Sequence, residues 1–245
     1  MFKAGKRIIL IIRRILEKTE KPKIKSKPKE YSPKRHYNKS LSPMARAGRS
    51  NFSAVVQFAI YINSQPQLKR IWKQSKIKGS TAYNKIIKTN IPLTLNQKLS
   101  KTNIIVPRLK YDLPSLIIDL NSICISLTVY KLKEYVGYYK MEKCTFQFVF
   151  VFSNPLNKTN NYYSITGFSE IITEINNADF NSSFALPVEI KTLIARYNNL
   201  IVYFTIIGHE ESRSKPGWFS SFAKSFDTKV LSTANNFSGV FIKPL

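Results

Sequence analysis

"CTFQFVFVF", residues 144–152, alternates with period two and so decides the class of fold. Phe146, Phe148, Phe150 and Phe152 share one face, and Thr145, Gln147, Val149 and Val151 share the other. Four phenylalanines in a row on one side of a pleated chain call for a second apolar surface to cover them. The same period runs through "SICISLTVY", residues 122–130. There Ile123, Ile125, Leu127 and Val129 oppose Ser122, Cys124, Ser126 and Thr128. "NLIVYFTIIG", residues 199–208, alternates less cleanly, as a strand buried on both faces does. Residues 115–120, 162–166, 183–186 and 240–243 are further strand candidates, separated by turn-rich segments such as "SNPLNKTNN". About seven short strands in this spacing predict an antiparallel immunoglobulin-like sandwich over residues 102–245. "PVEIKTLIARYNN", residues 187–199, reads as a short helix crossing one end of it. "KPGWFSSFAKSF", residues 215–226, reads as a loop or short helix whose aromatics close the sandwich, rather than as an exposed patch.

Upstream the period changes to that of a helix. Phe52, Val55, Val56, Ala59 and Ile62 predict a helix over residues 44–63. After Pro66, Leu68, Ile71 and Trp72 form a second apolar stripe. Gly79 ends it, and Ser80 is the expected N-cap of a third helix bearing Tyr83, Ile86 and Ile87. The aromatics Trp72 and Tyr83 thus fall on apolar faces, whereas base-stacking platforms place them on an exposed basic surface. Lys73, Lys76, Lys78, Lys85 and Lys88 are left for solvent or a polyanion. Residues 43–101 are read as a small helical module.

Residues 1–42 are of a third kind. Over residues 1–20, Ile8, Ile11, Ile12, Ile15 and Leu16 take one side of a helical wheel and basic residues the other, with Leu10 misplaced. Such a helix can lie on an anionic membrane, dock in a partner's groove or pack on its own protein. The absence of an interfacial Trp favours docking on protein. "KPKIKSKPKEYSPKRHYNKSLSP", residues 21–43, has four prolines and few apolar side chains, and so reads as an extended arm. Such an arm can track phosphates by counterion release, or serve as a solubilising spacer. The run around Ile8–Ile12 is too short and too basic on both flanks for a signal sequence or a membrane span, which points to a cytoplasmic or virion location.

Charge follows the same division. The chain of 245 residues has a net charge of +25, and residues 1–101 carry 25 Lys/Arg against 3 Asp/Glu, while residues 102–245 carry 14 against 11. The predicted polyanion or partner contacts are Lys3, Lys6, Arg7, Arg13 and Arg14 of the helix. The arm adds Lys21, Lys23, Lys25, Lys27, Lys29, Lys34 and Arg35. Cys124 and Cys144 fall on opposite faces of their strands by parity, which predicts two free thiols.

Catalytic signatures are lacking. His36 and His209 are the only histidines, too few for a zinc site, and the His209–Glu210–Glu211 run reads as a solvated loop tip. The sequence has no Gly-rich phosphate loop and no nucleophile elbow, and its sparse carboxylates show no pairing by spacing. The expectation is a non-enzyme with no cofactor, metal or small-molecule substrate.

"SPMARAGRSNFSAVVQFA", then "IWK", then "GSTAYNKIIKTNI", within residues 42–91, resembles a segment of uncharacterised proteins from Bacteroidota and their phages. In that family the segment precedes a β-rich, Ig-like region. The resemblance implies a structural or virion-associated role and no known catalytic residues; the expected partner is a larger homo- or hetero-oligomeric assembly, with nucleic acid through the arm as a further candidate. Where the family has a Gly-rich opening, this chain has the basic helix and arm. The expected fold class is therefore α+β, and the expected function that of a structural protein anchored by its arm. The alternative is a nucleic-acid-binding protein of a ribonucleoprotein or nucleoid.

Overall fold

The computed structural model describes residues 43–94, 98–107, 113–138, 141, 143–173, 179–209 and 217–233, with side chains from residue 52 to residue 231 except that of Tyr138. Every described residue belongs to one compact unit, Leu41–Leu245. Three helices come first: α1 Pro43–Ser64, α2 Pro66–Gln74 and α3 Ala82–Asn90, with a 3-10 turn at Ile91–Leu93. Two antiparallel sheets follow, so the fold is α+β. The smaller has the order β1-β2-β5, with β1 Leu116–Leu120, β2 Cys124–Val129 and β5 Phe180–Ala185. The larger runs β4-β3-β6, with β3 Lys143–Pro155, β4 Tyr163–Ile172 and β6 Tyr197–His209. Both β7 Gly217–Trp218 and β8 Phe222–Asp227 pair with the far side of β6. Short helices α4 Leu132–Tyr138, α5 Val188–Ile194 and α6 Thr228–Thr233 complete the chain.

The pair β3–β6 is the spine. Its register runs unbroken from Lys143↔His209 to Ser153↔Asn199, so the 144–152 stretch lies between β4 and β6 along its whole length. All nine of its residues are buried. Its phenylalanine face meets the small sheet in one core with Ile118, Ile125, Leu127 and Val129. The rings interlock across the two sheets: Phe146 meets Phe180 edge-on at 5.0 Å, and Phe148 approaches Phe184 at 5.9 Å. Each such ring contributes roughly 1.5–3 kcal/mol by leaving water. Edge-on pairing of the ring quadrupoles adds a smaller, directional gain.

The opposite face is buried too. Val149, Val151, Tyr203 and Ile207 form a second core with Val55, Phe58, Ile62, Leu68, Ile71, Trp72 and Ile86 of the helices. The large sheet is thus the middle of three layers, helices on one side and the small sheet on the other. This accounts for the imperfect alternation of residues 199–208: β6 is buried on both faces over most of its length. At Gly167 of β4 the neighbouring strand and α1 come so close that a Cβ would lie 2.2 Å from the Phe148 carbonyl oxygen and 2.7 Å from Tyr61 Oη. Only glycine fits there.

Several expectations need correction. Of the segment 215–226, the described residues from 217 on carry strands β7 and β8 rather than only a loop or a helix, because their backbone finds the open side of β6. Their aromatics do turn inward: Phe219 is fully buried and Trp218, Phe222 and Phe226 are half-buried. Ile123 leaves the β2 face and is 59% exposed, because Asn121 Oδ1 accepts from the Ile123 and Cys124 amides and turns the chain there. On α1 the inward stripe is Ala54, Val55, Phe58, Ala59 and Ile62, while Phe52 is 51% exposed. The strands expected at 162–166 and 183–186 are longer, and residues 240–243 lie outside the described residues. Both cysteines are free, as parity required; burial pushes the Cys144 thiol up to about 12.

Candidate polyanion-binding surface

All twelve contacts predicted from sequence lie outside the described residues: Lys3, Lys6, Arg7, Arg13, Arg14, Lys21, Lys23, Lys25, Lys27, Lys29, Lys34 and Arg35, as do His36, Glu210 and Glu211. The described positive charge sits elsewhere. Between Glu30 and Asp112 the sequence has no carboxylate, so every charged side chain of α1, α2, α3 and residues 98–107 is basic. Lys69, Arg70 and Lys73 of α2, Lys76 and Lys78 of the following loop, Lys88 of α3, and Lys98 and Lys101 beyond it are all exposed. The described carboxylates belong to the two-sheet body, where Asp119 meets Lys224 at 3.1 Å and Glu134 meets Lys131 at 3.9 Å.

This basic face is built on a rigid support. On α2, Leu68, Ile71 and Trp72 have no exposed surface, which leaves Lys69, Arg70 and Lys73 on the outer side. Pro66 at the first turn costs α2 no hydrogen bond. At its other end Ser75 Oγ donates to the Trp72 carbonyl at 2.8 Å. Lys85 does more. The sequence reading left it for solvent or polyanion, yet it is 8% exposed, and its ammonium donates to the carbonyls of Lys73 (3.1 Å) and Ser75 (2.7 Å). A cation thus closes the negative end of α2 from one turn inside α3. Gly79 makes room for it, since a Cβ there would lie 2.8 Å from Lys85 Cγ. The N-cap of α3 is Thr81, whose Oγ1 accepts from the Asn84 amide at 3.1 Å; Ser80, the expected cap, instead accepts from the Asn84 side chain.

A second support is residues 98–107, an irregular strap between helices and sheet that sequence reasoning did not identify. Ile104, Ile105 and Val106 are buried with no strand partner, so side chains must satisfy their backbone groups. Asn90, fully buried at the end of α3, donates to the Ile104 carbonyl at 3.1 Å and accepts from its amide at 2.8 Å. Trp72 Nε1 donates to the Ile105 carbonyl at 2.8 Å, and Ser221 Oγ accepts from the Ile105 and Val106 amides. Tyr203 Oη donates to the Ser100 carbonyl at 2.7 Å, and Tyr163 Oη accepts from the Leu99 amide. Burial raises the pKa of both phenols, that of Tyr163 to about 12. The signal for this strap was the buried-polar pair Asn90 and Asn103, but nothing in their spacing separates them from surface asparagines.

His209, at the end of β6, pairs through Nε2 with Thr145 Oγ1 at 2.8 Å; burial lowers its pKa, and the charges of Lys143 and Arg70 lower it further. Among the described residues there is no group of three or more His, Cys, Asp or Glu able to hold a metal ion. Nor is any described helix long and apolar enough to cross a membrane. What the basic face offers is screened, sequence-independent attraction to anions, presented from fixed backbone positions. Compared with known proteins, the chain matches no family model, no curated protein and no solved structure.

Proposed function

We propose that the chain is a non-enzymatic structural protein of a larger assembly, held there by attraction between its positive N-terminal half and an anionic component. The observation that carries this reading is the segregation of charge: the helical layer on one face of the large sheet is basic and free of acidic residues, and every described carboxylate lies outside it, between Asp119 and Asp227. The basic arm extends the same attraction through Lys21–Arg35. In this reading the two sheets form an Ig-like sandwich that presents the interaction surface of the assembly. Their antiparallel pairing and common core support it, and the resemblance of residues 42–91 to phage and Bacteroidota proteins points to a virion as the setting.

The test is binding of the full chain, and of the chain lacking residues 1–40, to duplex DNA, RNA and anionic vesicles across a salt series. The proposal expects salt-dependent binding to at least one of these and a shallower slope after the deletion. Salt-independent binding, or none, contradicts it. The second reading is a nucleic-acid-binding protein of a ribonucleoprotein or nucleoid. The absence of carboxylates from the helical face favours it, since protein–nucleic acid interfaces are strongly positive. Tight, sequence-dependent binding at physiological salt would select it.

A further inference from the structure

We infer that the outer face of α2 and the loop after it, carrying Lys69, Lys73, Lys76 and Lys78 with Lys88 of α3 alongside, is a docking surface for the phosphodiester backbone of nucleic acid. The inference rests on the proposed attraction to an anionic component; it names that component and adds a folded contact to the arm.

Three kinds of anionic partner must be told apart. A lipid surface requires apolar groups beside the basic ones, to enter the acyl boundary. On α2 there are none to insert: Leu68, Ile71 and Trp72 are wholly buried, and its outer face is Lys and Arg with glutamines beside them. Ile77, between Lys76 and Lys78, packs half-buried on the helical core; the exposed Phe52 and Ile60 belong to α1, and Ile91, 38% exposed, stands alone beyond α3. An acidic protein is a poor fit for a different reason. Protein interfaces are depleted in lysine and rely on exposed aromatic anchors, and here Trp72 is spent inside, donating to Ile105. A phosphate backbone needs neither anchor nor insertion. It needs closely spaced positive charge free of competing carboxylates. Lys69 and Lys73, four residues apart, are separated by about 6 Å along the helix axis. Among the described residues none of Lys69, Lys73, Lys76, Lys78 and Lys88 is engaged in an ion pair.

The support around Lys85 bears on the same point. A cation that would otherwise join the surface is withdrawn to fix the Lys73 and Ser75 carbonyls. It sets the path of the chain from which Lys76 and Lys78 project. The lysines therefore meet phosphates from positions already held, and lose little backbone entropy on binding.

The experiment uses the full chain and a mixed-sequence duplex, followed by fluorescence anisotropy from about 50 to about 200 mM salt. The quadruple variant K69Q/K73Q/K76Q/K78Q is expected to lower the magnitude of the slope of log K against log salt by about 3.6, at roughly 0.9 per lost phosphate contact. The control K158Q/K191Q, on the two-sheet body, leaves the slope unchanged. Thermal unfolding of both variants matches the parent, which separates lost contact from lost fold. An unchanged slope in the quadruple variant overturns this inference while leaving the arm-based attraction standing. So does a loss confined to vesicles of phosphatidylserine and phosphatidylcholine, which would identify a lipid surface instead. Failure of the parent chain to bind DNA, RNA or vesicles at any salt sinks both this inference and the broader proposal.

Discussion

Replacing Lys85 with methionine removes the ammonium while keeping most of the side-chain stem. The two hydrogen bonds it makes, to Lys73 O and Ser75 O, have a charged donor at a nearly buried site. Bonds of that kind contribute about 1.5–3 kcal/mol each. Part of this returns when the variant no longer strips an ammonium of water, and the two carbonyls, at a helix end, can recover solvent. The expected net loss is about 2 kcal/mol, with the methionine stem still packed beside Gly79. For a folded unit of this size that is a fall in Tm of roughly 4–8 °C. Lys88→Met, one turn further along α3 on its exposed side, is the internal control and should stay within about 0.5 kcal/mol. Urea denaturation followed by tryptophan fluorescence reads both, since Trp72 lies at the buried end of α2. If Lys85→Met and Lys88→Met prove equally mild, the lysine does not close α2 and its buried placement is wrong.

Three further outcomes follow from the same contacts. Asn90→Ala strands the Ile104 amide and carbonyl without partners, and should cost about 2–4 kcal/mol while opening residues 98–107 to limited proteolysis. Gly167→Ala should be severely destabilising in circular-dichroism melts, and Tyr61→Phe should not rescue it, because the nearer obstacle is the Phe148 backbone oxygen. Stability should fall with alkaline pH. Burial holds Tyr61 and Tyr163 up at about 12 and raises Tyr203 as well, whereas the unfolded phenols ionise near 10. Their stabilisation is complete below about pH 10 and is lost as pH climbs toward the folded values. A Tyr203→Phe variant should show a flatter decline in Tm between about pH 9 and 11.

The period-two stretches made the sheet strands legible because each strand carries its own pattern, whatever it pairs with. Phe146 to Phe152 had to face an apolar layer in any fold. The second buried face of β3 was harder to read: Thr145 and Gln147 look solvent-facing until the helices cover them. β7 and β8 were misread because a Gly-Trp pair and a half-buried strand take their conformation from the neighbouring β6, not from local propensity. The strap and Lys85 were illegible for one reason. Their partners are backbone carbonyls and amides brought close only by the tertiary fold, and a backbone group has no signature in sequence. Charge was legible as an asymmetry along the chain, but its focus on the outer side of α2 depended on knowing which residues turn inward.

Lysine footprinting tests the central claim most directly. The full chain is acylated briefly, free and bound to mixed-sequence duplex DNA, and modification at each lysine is read by mass spectrometry. The account predicts protection of Lys69, Lys73, Lys76, Lys78 and Lys88 on binding, with Lys158 and Lys191 unchanged and Lys85 unreactive throughout. Equal protection of all exposed lysines, or protection that leaves the α2 face fully reactive, would contradict it.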